Sequence, residues 1–113
     1  MLKIYHNPRC SKSRETLNII NEKGNEVEVI EYLNEVPTKE ELQGLLSKLN
    51  LPAQAIIRKS EPVYKEHFKG KELGEDEWIE AMVQYPKLIE RPIVVQGDRA
   101  VLGRPPQNVL ELL

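Results

Sequence analysis

The chain has one cysteine, Cys10, in the run His6-Asn7-Pro8-Arg9-Cys10-Ser11-Lys12-Ser13-Arg14. Asn7-Pro8 is a turn signal, and the residues after it read as the start of a helix. A thiol at a helix start meets free peptide N–H groups and the positive end of the helix dipole. Both favour a thiolate. Arg9, Lys12 and Arg14 add positive charge, and Ser11 and Ser13 can donate hydrogen bonds. Thiols in such settings fall below the free value of about 8.5. The plainer alternative is a buried structural cysteine, but burial alone does not call for a cationic, Ser-rich surround. His6 is either a satisfied polar residue at a strand end or, as an imidazolium, a further support for the thiolate. A metal role is disfavoured, because no second cysteine exists and His67 lies in a different helical segment.

The motif is Cys10-x-x-Ser13, not Cys-x-x-Cys. A dithiol centre resolves its own mixed disulfide. Here an outside thiol must clear any adduct, most simply glutathione or a glutaredoxin.

Arg91 and Arg104 each precede a proline. A residue before proline is pushed to an extended backbone, so both side chains project from defined loops. Guanidinium groups bind tetrahedral oxyanions in bidentate fashion. Placed around a thiolate, they would hold an oxyanion against sulfur and offset its charge.

The elements that must position these groups follow from periodicity and turn residues. Residues 3–6 read as a strand. A helix with Leu17 and Ile20 on one face follows and stops near Gly24, where glycine suits a left-handed cap. Residues 26–32 alternate like a half-buried strand, completing a βαβ unit with parallel strands. Thr38 and Glu41 form a capping box ahead of Leu42, Leu45, Leu46 and Leu49, with Pro52 expected to end that helix. A turn around residues 53–57 leads to Arg58. A second helix runs near residues 75–84, with Trp78, Ile79, Met82 and Val83 facing inward and an acidic start. Residues 92–96 and 99–102 form a hairpin about Gly97-Asp98. Proline at 105 and 106 opens a last helix carrying Val109, Leu110, Leu112 and Leu113. The expected fold is α/β: β-α-β, a helical insert at about residues 38–86, then β-β-α, giving one four-stranded mixed sheet in a single domain over residues 1–113. In that sheet the hairpin sits beside the first strand, hence beside the Cys10 loop.

The bulk numbers fit one ordinary folded domain. The chain has 113 residues, enough for one domain with its own core. Charged residues make up 30% and the net charge is −2, which gives no general reason to expect nucleic acid or a membrane surface as partner. No apolar run approaches the roughly 20 residues of a membrane span. The opening residues are too soon interrupted for a signal peptide, so a cytoplasmic location is expected.

Taken together, His6-Asn7-Pro8-x-Cys10-x-x-Ser13-Arg14, Ile57-Arg58-Lys59, Glu90-Arg91-Pro92-Ile93-Val94-Val95 and Gly103-Arg104-Pro105 resemble the glutaredoxin-coupled arsenate reductases. The match covers nearly the whole chain in order; Arg9 departs from it, standing where a small residue is familiar. The resemblance implies a thioredoxin-like fold and a cis peptide bond before Pro92. It implies that Cys10 attacks arsenate to form a cysteine–arsenic adduct, that glutathione and glutaredoxin then supply the reducing steps, and that no cofactor is bound. It also implies that Arg58, Arg91 and Arg104 bind the oxyanion while His6 and Ser13 support the thiolate. Arg58 rests mainly on this resemblance. Two other functions fit the same residues. One is a glutathione-dependent thiol/disulfide reductase without arsenate activity. The other is an Spx-like regulator that binds RNA polymerase, against which the missing second cysteine argues.

Overall fold

The computed structural model describes residues 2–113, which form two compact units. The first joins the N-terminal stretch through Glu35 to Arg91–Leu113, and the second is Val36–Glu90.

The first unit holds strands β1 (Leu2–His6), β2 (Val27–Glu31), β3 (Ile93–Gln96) and β4 (Arg99–Leu102), in the order β2-β1-β3-β4. β1 pairs parallel to β2 and antiparallel to β3, so Ile4 lies between Val29 and Val94. This is the mixed four-stranded sheet expected from the order of elements. β1 and β3 are central and almost wholly buried, which is why they read as apolar runs (Ile4-Tyr5, Ile93-Val94-Val95). β2 is an edge and keeps Glu28 and Glu31 exposed. Helix α1 (Ser11–Glu22) packs Ile20, with Leu17 and Ile19, on Leu2, Ile4 and Val94. It ends before Gly24, whose φ of +77° is the expected left-handed turn.

The C-terminal helix differs from the expectation. Pro106–Leu112 is a 3₁₀ helix, not an α-helix. At three residues per turn, Pro106, Val109 and Leu112 share one face and are buried, whereas Leu110 and Leu113 are exposed. Of the four apolar residues expected on this helix, only Val109 and Leu112 therefore face the core.

The second unit holds α2 (Lys39–Leu49), α3 (Pro62–His67) and α4 (Glu75–Gln84), with 3₁₀ turns at Ala53–Ile56 and Pro86–Leu88. The Thr38–Glu41 capping box is present, each side chain bonding the other's backbone N–H at 3.1 and 3.2 Å. α2 stops earlier than Pro52 suggested. Asn50 takes a left-handed conformation (φ 57°, ψ 45°), which turns the chain before the proline is reached. Leu42, Leu45 and Leu46 are buried with Trp78, Ile79 and Met82, while Leu49 and Val83 are only half-buried. Ile57 bridges Ile89 antiparallel, tying the end of the unit back to its middle.

Candidate active site

The loop before α1 is a tight turn. The Cys10 N–H donates to the Asn7 carbonyl at 3.0 Å, and the Asn7 carboxamide accepts the Arg9 N–H at 3.0 Å. Both are the local bonds that Asn-Pro sequences favour. Arg14 reaches back and donates to the Pro8 carbonyl at 3.0 Å, tying the turn to the helix it starts. Cys10 occupies the N-cap position with extended backbone (φ −96°, ψ 123°) and is half-buried.

The sulfur makes no conventional capping bond. Burial pushes its thiol upward, but the opposing influences prevail, and the group lies below its ordinary value. Those are the peptide N–H of Ser13, the hydrogen bond and charge of Arg91, and the peptide N–H of Lys12. Arg104 lies on the same side, with Nη1 3.9 Å from Sγ. The same Nη1 donates to the Arg91 carbonyl at 3.0 Å. Cys10, Arg91 and Arg104 therefore come together, from three separate loops of the first unit.

Ser13 and His6 are paired and buried. Ser13 Oγ lies 2.6 Å from His6 Nδ1 and accepts the Asn7 N–H at 3.1 Å. Burial, with a smaller push from Arg14 and against the pull of Glu31, holds His6 below the usual imidazole range. A neutral imidazole is therefore favoured at neutral pH. It is Ser13's peptide N–H that acts on the sulfur, while its hydroxyl engages the imidazole and the Asn7 amide.

Arg58 lies in the second unit, beside the Ile57–Ile89 bridge. Its N–H donates to the Leu88 carbonyl at 2.7 Å, and its Nε pairs with Glu61 at 3.3 Å. Among the described residues no cluster of three His, Cys, Asp or Glu is spaced to hold a metal ion.

Residues that composition did not single out join the sheet end to α1. Gly103 donates its N–H to the Pro92 carbonyl at 2.9 Å. A Cβ at Gly103 would fall 2.7 Å from Thr16 Oγ1 and 2.8 Å from Pro92 Cγ, so only glycine fits between them. Thr16 is fully buried and donates to the Lys12 carbonyl at 2.8 Å. A glycine ahead of an Arg-Pro pair was the one available signal for this contact. The peptide bonds before Pro92 and Pro105 are both cis; the first was implied by the family resemblance and the second was not anticipated.

Comparison with known proteins agrees with this layout. The sequence pattern of the ArsC family matches residues 5–112. The YfgD protein of Escherichia coli (strain K12) is 49% identical over 114 residues, spanning 99% of this chain and 96% of that one. A Neisseria meningitidis (serogroup A) protein named arsenate reductase is 40% identical over 114 residues, spanning 99% of this chain and 97% of its own. The solved structure of an arsenate reductase from Vibrio cholerae superposes with a TM-score of 0.95 at 48% identity, covering 99% of this chain and 97% of that one. The thioredoxin-like, α/β fold is thus shared along the whole chain, and with its pattern matched from Tyr5 to Leu112 this protein belongs to the ArsC family.

Proposed function

We propose that this protein is an arsenate reductase that works through a covalent adduct on Cys10, with glutathione and a glutaredoxin as reductants and no bound cofactor. The observation that carries the reading is the pair of arginines at a thiolate-favouring cysteine. Arg104 stands 3.9 Å from Sγ, and Arg91 hydrogen-bonds the sulfur. Two guanidinium groups there neutralise a doubly charged tetrahedral oxyanion that would otherwise be repelled by the thiolate.

The thiolate attacks arsenic(V). A sulfur–arsenic bond forms as an arsenic–oxygen bond breaks, and the oxygen leaves as water after protonation. Glutathione condenses on the same arsenic with loss of a second water. A glutaredoxin thiolate then attacks the glutathione sulfur. The new disulfide forms, the electron pair of the arsenic–sulfur bond stays on arsenic, and arsenic(III) results. Water displaces Cys10, releasing arsenite and regenerating the thiolate. Arg91 and Arg104 hold the oxyanion through these steps. His6 and Ser13 hold the loop that presents Cys10. The reducing chemistry fits a cytoplasmic setting, where the lone thiol stays reduced.

The test is NADPH oxidation coupled through glutathione reductase, with glutathione, glutaredoxin and arsenate. Arsenate-dependent turnover that disappears in Cys10→Ser supports the proposal. Turnover no higher than that of Cys10→Ser overturns it. Turnover on a glutathione mixed disulfide but not on arsenate would assign the thiol/disulfide reductase function instead.

A further inference from the structure

Arg91 and Arg104 project from loops, and loops do not hold a long side chain in place by themselves. The structure supplies a holder on the 3₁₀ helix that follows. The side-chain amide of Asn108 donates to two carbonyls, Leu102 at 3.1 Å and Arg104 at 3.3 Å. Those carbonyls bracket the turn by which the chain leaves β4. Between them, Gly103 bonds the Pro92 carbonyl. From that turn the Arg104 side chain runs to the Arg91 carbonyl at 3.0 Å and to within 3.9 Å of Cys10 Sγ.

We propose that Asn108 is a positioning residue of the active site. Its carboxamide sets the direction in which Arg104 leaves the loop. Through the hold of Arg104 on the Arg91 carbonyl, it sets both guanidinium groups around the sulfur. A carboxamide suits the task because one NH₂ group carries two donors, one for each end of the turn. Asn108 touches neither sulfur nor substrate in this role, and its effect passes through Arg104.

The oxyanion part of this role rests on the arsenate reading, whereas its effect on the sulfur does not. The chain has a single cysteine, so thiolate absorbance against pH and iodoacetamide alkylation both report on Cys10 alone. The other titratable or charged groups on the flanking segments, neutral His6 and the cations Arg9, Lys12, Arg14 and Arg91, keep their identity throughout. In Asn108→Ala the titration midpoint of Cys10 is expected to rise by about 0.5–1 unit as the cations drift from sulfur, and alkylation at neutral pH to slow by roughly three- to tenfold. Asn108→Ser keeps one donor and should fall between. In an Arg104→Ala background, Asn108→Ala should add little, because its effect acts through Arg104. Arsenate kcat/KM should fall in parallel.

A folded Asn108→Ala with an unchanged titration overturns the proposal. So does an equal shift in the Arg104→Ala background, which would mark a merely structural role. If Asn108→Ala does not fold, Asn108→Ser decides, and an unchanged titration there counts against the proposal. Absence of arsenate turnover would sink the arsenate reading while leaving both thiol measurements to judge Asn108.

Discussion

Ser13 Oγ and His6 Nδ1 are 2.6 Å apart and buried, and the same oxygen accepts the Asn7 N–H. The neutral His6 ring pairs with the Ser13 hydroxyl through Nδ1 in either tautomer. The hydroxyl thus fastens the start of the Cys10 loop to the end of β1, while the peptide N–H of Ser13 acts on the sulfur. In this protein the two halves of one residue serve different parts of the site.

Ser13→Ala should therefore cost stability more than it alters the thiol. It leaves the Asn7 N–H and the His6 ring nitrogen buried without their partner, a loss of about 1–3 kcal/mol in chemical denaturation. The peptide N–H remains, so the Cys10 titration should move by well under one unit, on the usual scale of lost hydrogen bonds to a charged form of about one unit or more. A large thiol shift with unchanged stability would contradict this division of roles.

Removing Arg91 acts on the sulfur directly. Arg91→Ala deletes both a hydrogen bond and a nearby charge, and the Cys10 titration midpoint should rise by about one unit. Iodoacetamide alkylation at neutral pH should slow accordingly. Arg91→Lys should recover part of the charge and little of the planar geometry. An alkylation rate equal to the parent's would remove Arg91 from the site.

Stability should rise with pH across the neutral range. Both His6 and Cys10 sit below their ordinary values in the folded state. The unfolded chain then binds more protons, so unfolding becomes harder as pH rises. The His6 contribution is present above the unfolded value of about 6.5 and is lost as pH falls through the folded value. For Cys10 the window ends at about 8.5. Urea midpoints between pH 5.5 and 8.5 measure the sum. His6→Gln should flatten the lower part and Cys10→Ser the upper. A midpoint that falls with rising pH would refute this assignment.

Gly103→Ala forces a methyl group against Thr16 and Pro92. A cost of about 1–3 kcal/mol is expected, read as a lower thermal midpoint. Thr16→Ala should relieve part of it, since the 2.7 Å contact is with the threonine hydroxyl. Full stability in Gly103→Ala would mean that α1 and the Arg104 loop separate at no cost.

Much of this was legible along the chain because it is local. A capping box lies within four residues, α4 announces itself by Trp78, Ile79 and Met82, and Asn7-Pro8 followed by Cys10 at a helix start is a turn written in turn residues. Strand order followed from a βαβ unit and a hairpin, whose connections leave few choices. The cysteine and the two Arg-Pro pairs were visible for the same reason. Their side-chain types and backbone restrictions are properties of single positions.

What tertiary structure decided is which distant groups meet. Arg104 and Cys10 are 94 residues apart, and Thr16 and Gly103 are 87 apart. Nothing at either position states its partner. The sequence equally allowed the Ser13 hydroxyl to face sulfur; the fold turned it to His6 and left the backbone amide for Cys10. It allowed an α-helix after Pro106; packing of Val109 and Leu112 in the core selected the three-residue repeat. Asn108 carried no signal, because an asparagine becomes a clamp only when two carbonyls are delivered to it. By itself the sequence determined a helix-start cysteine and cations able to serve it. Only the packed sheet end, closed by Gly103 against Thr16 and Pro92, brings Arg91 and Arg104 to the sulfur.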